Sequence, residues 1–167
     1  MKPSGLIMLA GAAACLAASF ATPIRQAVAA PTVTQSDYRV PPEAHCDPRG
    51  AAPEEDIQAR ISQALEVMGD LDIPGTRDSI RYVIADESGG QPAIMNCRDI
   101  NWKNGVPSIG LMQVIQPTFD AHHCPGTRKD LLDPVANICA ASHYAQGRYG
   151  SIDAVAQGKR NGTIKGY

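Results

Sequence analysis

A chain of 167 residues has room for one domain but not comfortably for two. Its 15 basic and 17 acidic side chains leave a net charge of −2, without the basic stripe that displaces counterions from nucleic acid. Nucleic acid is therefore excluded as a partner, and any anionic partner must be held by specific contacts rather than bulk attraction.

Residues 1–29 read as an export signal. Lys2 gives a short positive start, Leu6 to Phe20 is apolar and alanine-rich, and Ala27-Val28-Ala29 fits a small-x-small cleavage site. A transmembrane anchor fits less well, because Thr22, Pro23, Arg25 and Gln26 interrupt the apolar run short of about 20 residues. No stable membrane span is expected in the processed chain. Loss of Lys2 and Arg25 leaves 13 basic against 17 acidic side chains, a net charge near −4. Residues 30–52 combine proline, alanine and scattered charges without periodicity, the pattern of an extended leader or linker.

From residue 53 to the end, 167, the chain reads as one domain. Ile57, Ile61, Ala64, Leu65 and Met68 recur at helical spacing behind Glu54-Glu55-Asp56, acidic residues favourable at a positive helix end. Gly69 is the expected stop. Pro74-Gly75 makes a turn, and Thr76 can cap a second helix that carries Ile80, Val83 and Ile84 on one face. Glu87 falls at the next turn of that apolar stripe, just before Ser88-Gly89-Gly90 breaks the helix. Residues 91–107 hold too many turn formers for another long helix and suit a loop or a poorly regular hairpin. Ser108 then reads as the cap of an apolar helical run through residue 115, and Pro117 permits a break or a new helix start. Residues 133–150 give the clearest helix, with Asp133 as N-cap, Pro134 in the first turn and Gly150 after the end. The tail from 151 is only weakly periodic. The fold class is α+β, predominantly helical, with a small irregular β segment in the middle.

Cys15 leaves with the signal. Cys46, Cys97, Cys124 and Cys139 then read as two disulfides with three possible pairings, of which we expect Cys124–Cys139 and Cys46–Cys97. A zinc site using His122, His123, Cys124, Cys139 and His143 is the alternative use of the same region. In an oxidising compartment the cysteines pair instead, so neither a metal nor another cofactor is expected.

Glu87 is the candidate for chemistry. A carboxyl on an apolar face loses hydration, which disfavours its charged form and makes a proton available near neutral pH. The bland alternative is a helix-terminal glutamate that reaches water.

"ESGGQP" (87–92), then Asn96, Asp99, Asn101 and Gly105, then "PSIGLMQVIQPTF" (107–119), resembles the catalytic region of SLT-type lytic transglycosylases, lysozyme-like enzymes that cleave peptidoglycan. "DPVANICAASHYAQGRYG" (133–150) resembles the later helix of that family. The resemblance implies a lysozyme-like domain with a single catalytic carboxyl. Glu87 would protonate the oxygen between N-acetylmuramic acid and N-acetylglucosamine, then accept the proton of the C6 hydroxyl as a 1,6-anhydro ring closes. Ser108, Gln113, Met112, Asn96 and Tyr144 match positions near the acid or along the saccharide groove. Trp102 is a candidate for stacking on a sugar face. Asp99 is read as organising its loop, and Asp86 as facing away from the acid.

One stretch departs from the family pattern. Many members carry Ala-Tyr-Asn near the C-terminal end, where this chain reads "AVAQGKRNG"; Tyr149 and Tyr167 are candidates to replace the missing wall. The expected partner is the peptidoglycan glycan strand, met by a monomer. A hydrolytic muramidase on the same scaffold and a non-catalytic peptidoglycan-binding protein are the alternatives.

Overall fold

In the computed structural model, residues 38–167 are described, and the segments expected to be an export signal and the start of a leader lie outside them. Six helices occur among the described residues: α1 (Glu54–Asp70), α2 (Arg77–Ser88), α3 (Ile100–Lys103), α4 (Gln116–His122), α5 (Pro134–Tyr149) and α6 (Ile152–Arg160). With them come isolated β-bridges, His45 with Ile94, Met95 with Ile109 and Ile109 with Val114. The domain is thus predominantly helical with a small β element in its middle.

The central helix is α5, which packs against α1, α4 and α6, while α2 packs on α1 and α6. Ala136, Ile138, Cys139, Ala140, Ala141 and Ala145 are all fully buried, so α5 is apolar nearly all round, as an interior helix must be. Its many alanines let the neighbouring helices approach closely. Asp133 caps it by accepting the Ala136 amide at 2.9 Å, and Gly150 ends it in the left-handed conformation.

The α1 stripe is buried at Ile57, Ile61, Ala64 and Met68 as its spacing demands. The helix passes Gly69 by one residue. In α2, Thr76 accepts the Ser79 amide at 3.4 Å and Gly89 closes the helix at φ 59°. Arg81 of α2 grips Glu54 of α1 with three hydrogen bonds of 2.6 to 3.0 Å. That guanidinium, helped by Gln58, holds the Glu54 carboxyl down at about 2.

Two expectations fail. Residues 108–115 do not form a helix: Ile109 pairs with Val114 across a tight turn through Gly110 and Gln113. Ser108 is therefore no helix cap. The cause is Asn137, buried in α5, whose amide donates to the Ile109 carbonyl at 3.1 Å and accepts the Met112 N–H at 2.8 Å. A short run of apolar residues that is buried throughout carries no readable period, so helix and turn look alike in it.

The tail is the second failure, because residues 152–160 form α6. Ser151 caps it, Ile152, Val155 and Ala156 are fully buried, and Lys159 and Arg160 occupy the negative end. Gly158 interrupts the pattern for a reason found further along. A Cβ there would meet the Ile164 side chain at 2.6 Å. The chain folds back over this glycine, with Thr163 and Ile164 donating to its carbonyl at 2.8 and 3.0 Å, and so carries Tyr167 back to the body of the domain.

Residues 38–52 form no helix and lie on the domain. The His45 amide donates to Ala93 and the Ala52 amide to Gly90, and Tyr38, Val40, Ala44 and Ala52 pack against the core. Cys46 is bonded to Cys97 and Cys124 to Cys139, the pairing expected from the sequence. Among the described residues no helix is long and apolar enough to cross a membrane.

Candidate active site

The C-terminal end of α2, the 94–114 region, the end of α5 and the returning tail enclose a cleft of 460 Å³. Glu87 lines it together with Asn96, Asp99, Asn101, Ser108, Gln113, Tyr144 and Tyr167. A smaller cavity of 140 Å³ shares Asn101, Ser108, Gln113, Tyr144 and Tyr167 and adds Met112. Residues far apart in the chain are thereby brought together with Glu87 in one cleft.

Glu87 stands on the last turn of α2, whose stripe is fully buried at Ile80, Val83 and Ile84. The expected apolar niche is absent at Glu87 itself. Its side chain is 19 % exposed and its Oε1 receives the Lys159 ammonium at 2.5 Å. The stripe reaches the edge of the helix packing there, and α6, which crosses that edge, supplies a cation instead of an apolar side chain. Asp86 takes the same ammonium at 2.7 Å and is 45 % exposed. Asp86 does not line the cleft.

The 94–114 region is held by its own polar groups. Asn96 donates its amide N–H to Asp99 at 3.2 Å, accepts the Arg98 amide at 3.0 Å, and donates its backbone N–H to the Ser108 carbonyl at 2.9 Å. The other Asp99 oxygen caps α3 by accepting the Trp102 amide at 2.9 Å. Both oxygens of Asp99 therefore serve the loop. Ser108 lines the cleft, but among the described residues no hydrogen bond joins it to Glu87. Gln113 sits at φ 50°, a left-handed conformation costly for a residue with a side chain. Its amide nitrogen ties the turn by donating to the carbonyls of Ile94 at 3.1 Å and Gly110 at 3.0 Å.

Met112 lines the smaller cavity but offers almost no surface to it. It is 1 % exposed and belongs to the core, its backbone fixed by Asn137 on one side and by the Tyr167 hydroxyl, which donates to its carbonyl at 3.2 Å, on the other. Trp102 is 39 % exposed on α3 and lies outside the cleft lining.

The wall of the cleft formed by α5 and the tail is aromatic. Tyr144 and Tyr149 of α5 and Tyr167 of the tail all line the cleft, with Tyr144 ring-to-ring distances of 6.4 Å to each of the others. Burial pushes the Tyr167 phenol well above its ordinary range, with the Glu87, Tyr144 and Tyr149 charges adding to it. Arg148 lines the same cleft and donates to the Tyr149 hydroxyl at 3.1 Å.

The alternative zinc ligands do not assemble. Cys124 and Cys139 are in a disulfide. His143 bonds the His122 carbonyl at 3.1 Å, and the two imidazoles pack edge to face at 5.1 Å. Burial lowers the His122 basicity, and His143 lowers it further.

Sequence reasoning missed Lys159 and Asn137. Asn137 had a signal: an amide between Ala136 and Ile138 in an apolar helix must find partners once buried. Lys159 had none, because its place depends on the chain reversal after Gly158.

A family comparison identifies the domain. Residues 75–167 match the Transglycosylase SLT domain, more than half of the chain, and the chain belongs to that family. Such domains act on peptidoglycan, and the match spans every cleft residue named above. A stretch of 69 residues is 51 % identical to the uncharacterized protein YqbO of Bacillus subtilis (strain 168). It covers 41 % of this chain and only 4 % of that protein. No solved structure matches.

Proposed function

We propose that the domain is a peptidoglycan lytic transglycosylase that cleaves the β-1,4 bond between N-acetylmuramic acid and N-acetylglucosamine and leaves 1,6-anhydro ends. Glu87 is its general acid and base. In the first half of the reaction its carboxyl gives a proton to the bridging oxygen as the bond from the muramoyl C1 breaks. In the second, the C6 hydroxyl of the same sugar closes on C1 and its proton returns to Glu87. No water is consumed and the carboxyl ends as it began.

The observation that carries this reading is the state of the two carboxylates in the cleft. A two-carboxylate glycosidase needs a second group free to act as nucleophile or base. Asp99 accepts one hydrogen bond on each oxygen, from Asn96 and from the Trp102 amide, and so holds its loop, while Glu87 stands at the helix end facing the cleft. This division of roles supports Glu87 as the acting carboxyl. A substrate acetamido group can stabilise the positive sugar centre in place of a second carboxylate. Ser108, Gln113, Asn96 and Tyr144 form the groove, in which hydroxyl and amide groups suit acetamido and hydroxyl partners.

The protein acts outside the cytoplasm, as a monomer, after cleavage of residues 1–29 near Ala29. Two disulfides are compatible with an oxidising compartment. Mass spectrometry of purified peptidoglycan treated with wild type and Glu87→Gln tests the reading. Wild type should release fragments lighter by one water than hydrolytic products, and Glu87→Gln none. Wall binding without fragments from either protein would favour a purely binding role.

A further inference from the structure

Lys159 is the least exposed charged partner in the site, with a side chain only 4 % exposed. A buried ammonium is costly unless paired and hydrogen-bonded. This one has two carboxylates, Asp86 at 2.7 Å and Glu87 at 2.5 Å, both from the end of α2. Its nitrogen also lies 5.7 Å from the Tyr167 ring centroid, a cation–π distance. Two carboxylates sharing one ammonium leave one negative charge over. Asp86 is half exposed and outside the cleft, and Glu87 lines it.

We propose that Lys159 is the positioning residue of the lytic reaction, holding the Glu87 carboxyl at the cleft and stabilising the carboxylate that exists between the two proton transfers. The inference rests on the transglycosylase reading given above. Lys159 keeps all its protons throughout. Burial alone would lower the basicity of its amine, and the hydrogen bonds to Asp86 and Glu87 outweigh that and raise it. The other charged or titratable groups nearby leave the ammonium to these two partners. Tyr167 presents its ring, Arg160 turns to the Tyr82 ring at 4.3 Å, and Arg148 bonds Tyr149. Lys159 lies within "AVAQGKRNG", where the family motif is missing, so the support for the acid comes from a cation and the returning Tyr167 in this chain.

Rates on soluble peptidoglycan oligosaccharides between about pH 4 and 9 should be measured for wild type, Lys159→Met, Lys159→Arg and Asp86→Asn. Lys159→Met should lower kcat by about tenfold with KM nearly unchanged, because the acid is misplaced rather than the substrate lost. Its alkaline limb should move to higher pH by about one unit, since a cation no longer favours the carboxylate. Lys159→Arg should restore the wild-type profile. Asp86→Asn, which leaves the ammonium to Glu87 alone, should move the alkaline limb the opposite way. That variant changes an exposed side chain and carries the test if Lys159→Met fails to fold by circular dichroism. Active wild type with a superimposable Lys159→Met profile, an arginine variant as impaired as the methionine one, or an unshifted Asp86→Asn profile would overturn the inference and leave the reaction standing. A folded wild type that cleaves nothing at any pH would overturn the reaction and the inference with it.

Discussion

At the scale of single residues, a carboxyl placed at the end of an apolar helix face is what makes Glu87 conspicuous. The spacing from Ile80 through Val83 and Ile84 is visible in the sequence, and so is the glycine stop. Its immediate surroundings were not legible. The sequence offers an apolar stripe and suggests desolvation; the folded chain puts Lys159, from the far end of α6, against the Glu87 carboxyl. Only tertiary structure can replace an apolar neighbour with an ionic one. Glu87→Gln keeps the size of the side chain and removes the transferable proton. Its turnover should fall by about 10²–10⁴-fold, the usual worth of a positioned acid or base, while the far-ultraviolet circular dichroism is unchanged. Retention of more than about a tenth of wild-type turnover would remove Glu87 from the chemistry.

At the scale of elements, two contacts decide how the cleft is assembled. Asn137 fixes the 109–114 turn with three buried hydrogen bonds, to Ile109, Leu131 and Met112. Asn137→Ala strands two carbonyls and an amide, and should cost about 3 kcal/mol in urea unfolding, at about 1 kcal/mol per bond. Activity should fall with it, because Gln113 sits on that turn. The second contact joins α6 to the start of α2: Asp153 accepts the Thr76 hydroxyl at 2.6 Å and the Thr76 amide at 3.0 Å. Burial pushes the Asp153 carboxyl up, but hydrogen bonds from Ser79 and Thr76 and the charge of Arg160 outweigh it, and the group lies below its ordinary value. A carboxyl depressed on folding stabilises the protein above its unfolded value, about 3.9, and that stability is lost as pH falls through the folded value. Asp153→Asn should therefore lower Tm by an amount that is constant above about pH 5 and shrinks below about pH 4. A Tm difference that grows on acidification would contradict this. Both contacts join distant segments, which explains why caps and stripes gave α1, α2 and α5 from sequence while the 108–115 turn and α6 did not emerge.

At the scale of the whole molecule, a small helical core is braced by two disulfides in different places. Cys46–Cys97 ties the non-helical leader to the region before α3, and Cys124–Cys139 ties the segment after α4 to α5. Each is worth about 2–4 kcal/mol, so reduction under native conditions should lower Tm substantially and in two separable steps in the single-pair cysteine variants. Unchanged Tm on full reduction would mean the core suffices alone. The helical architecture and the region of the cleft were readable because the motif from Glu87 to Phe119 lies mostly in one continuous stretch. The far wall was not, since it is built by a tail that turns back after Gly158.

The most direct measurement of the central claim is digestion of purified peptidoglycan by the full-length protein in oxygen-18 water. If the C6 hydroxyl attacks, the new muramoyl ends carry no heavy oxygen, and no fragments form with Glu87→Gln. Heavy oxygen in every new muramoyl end would show that water is the nucleophile and would contradict the account.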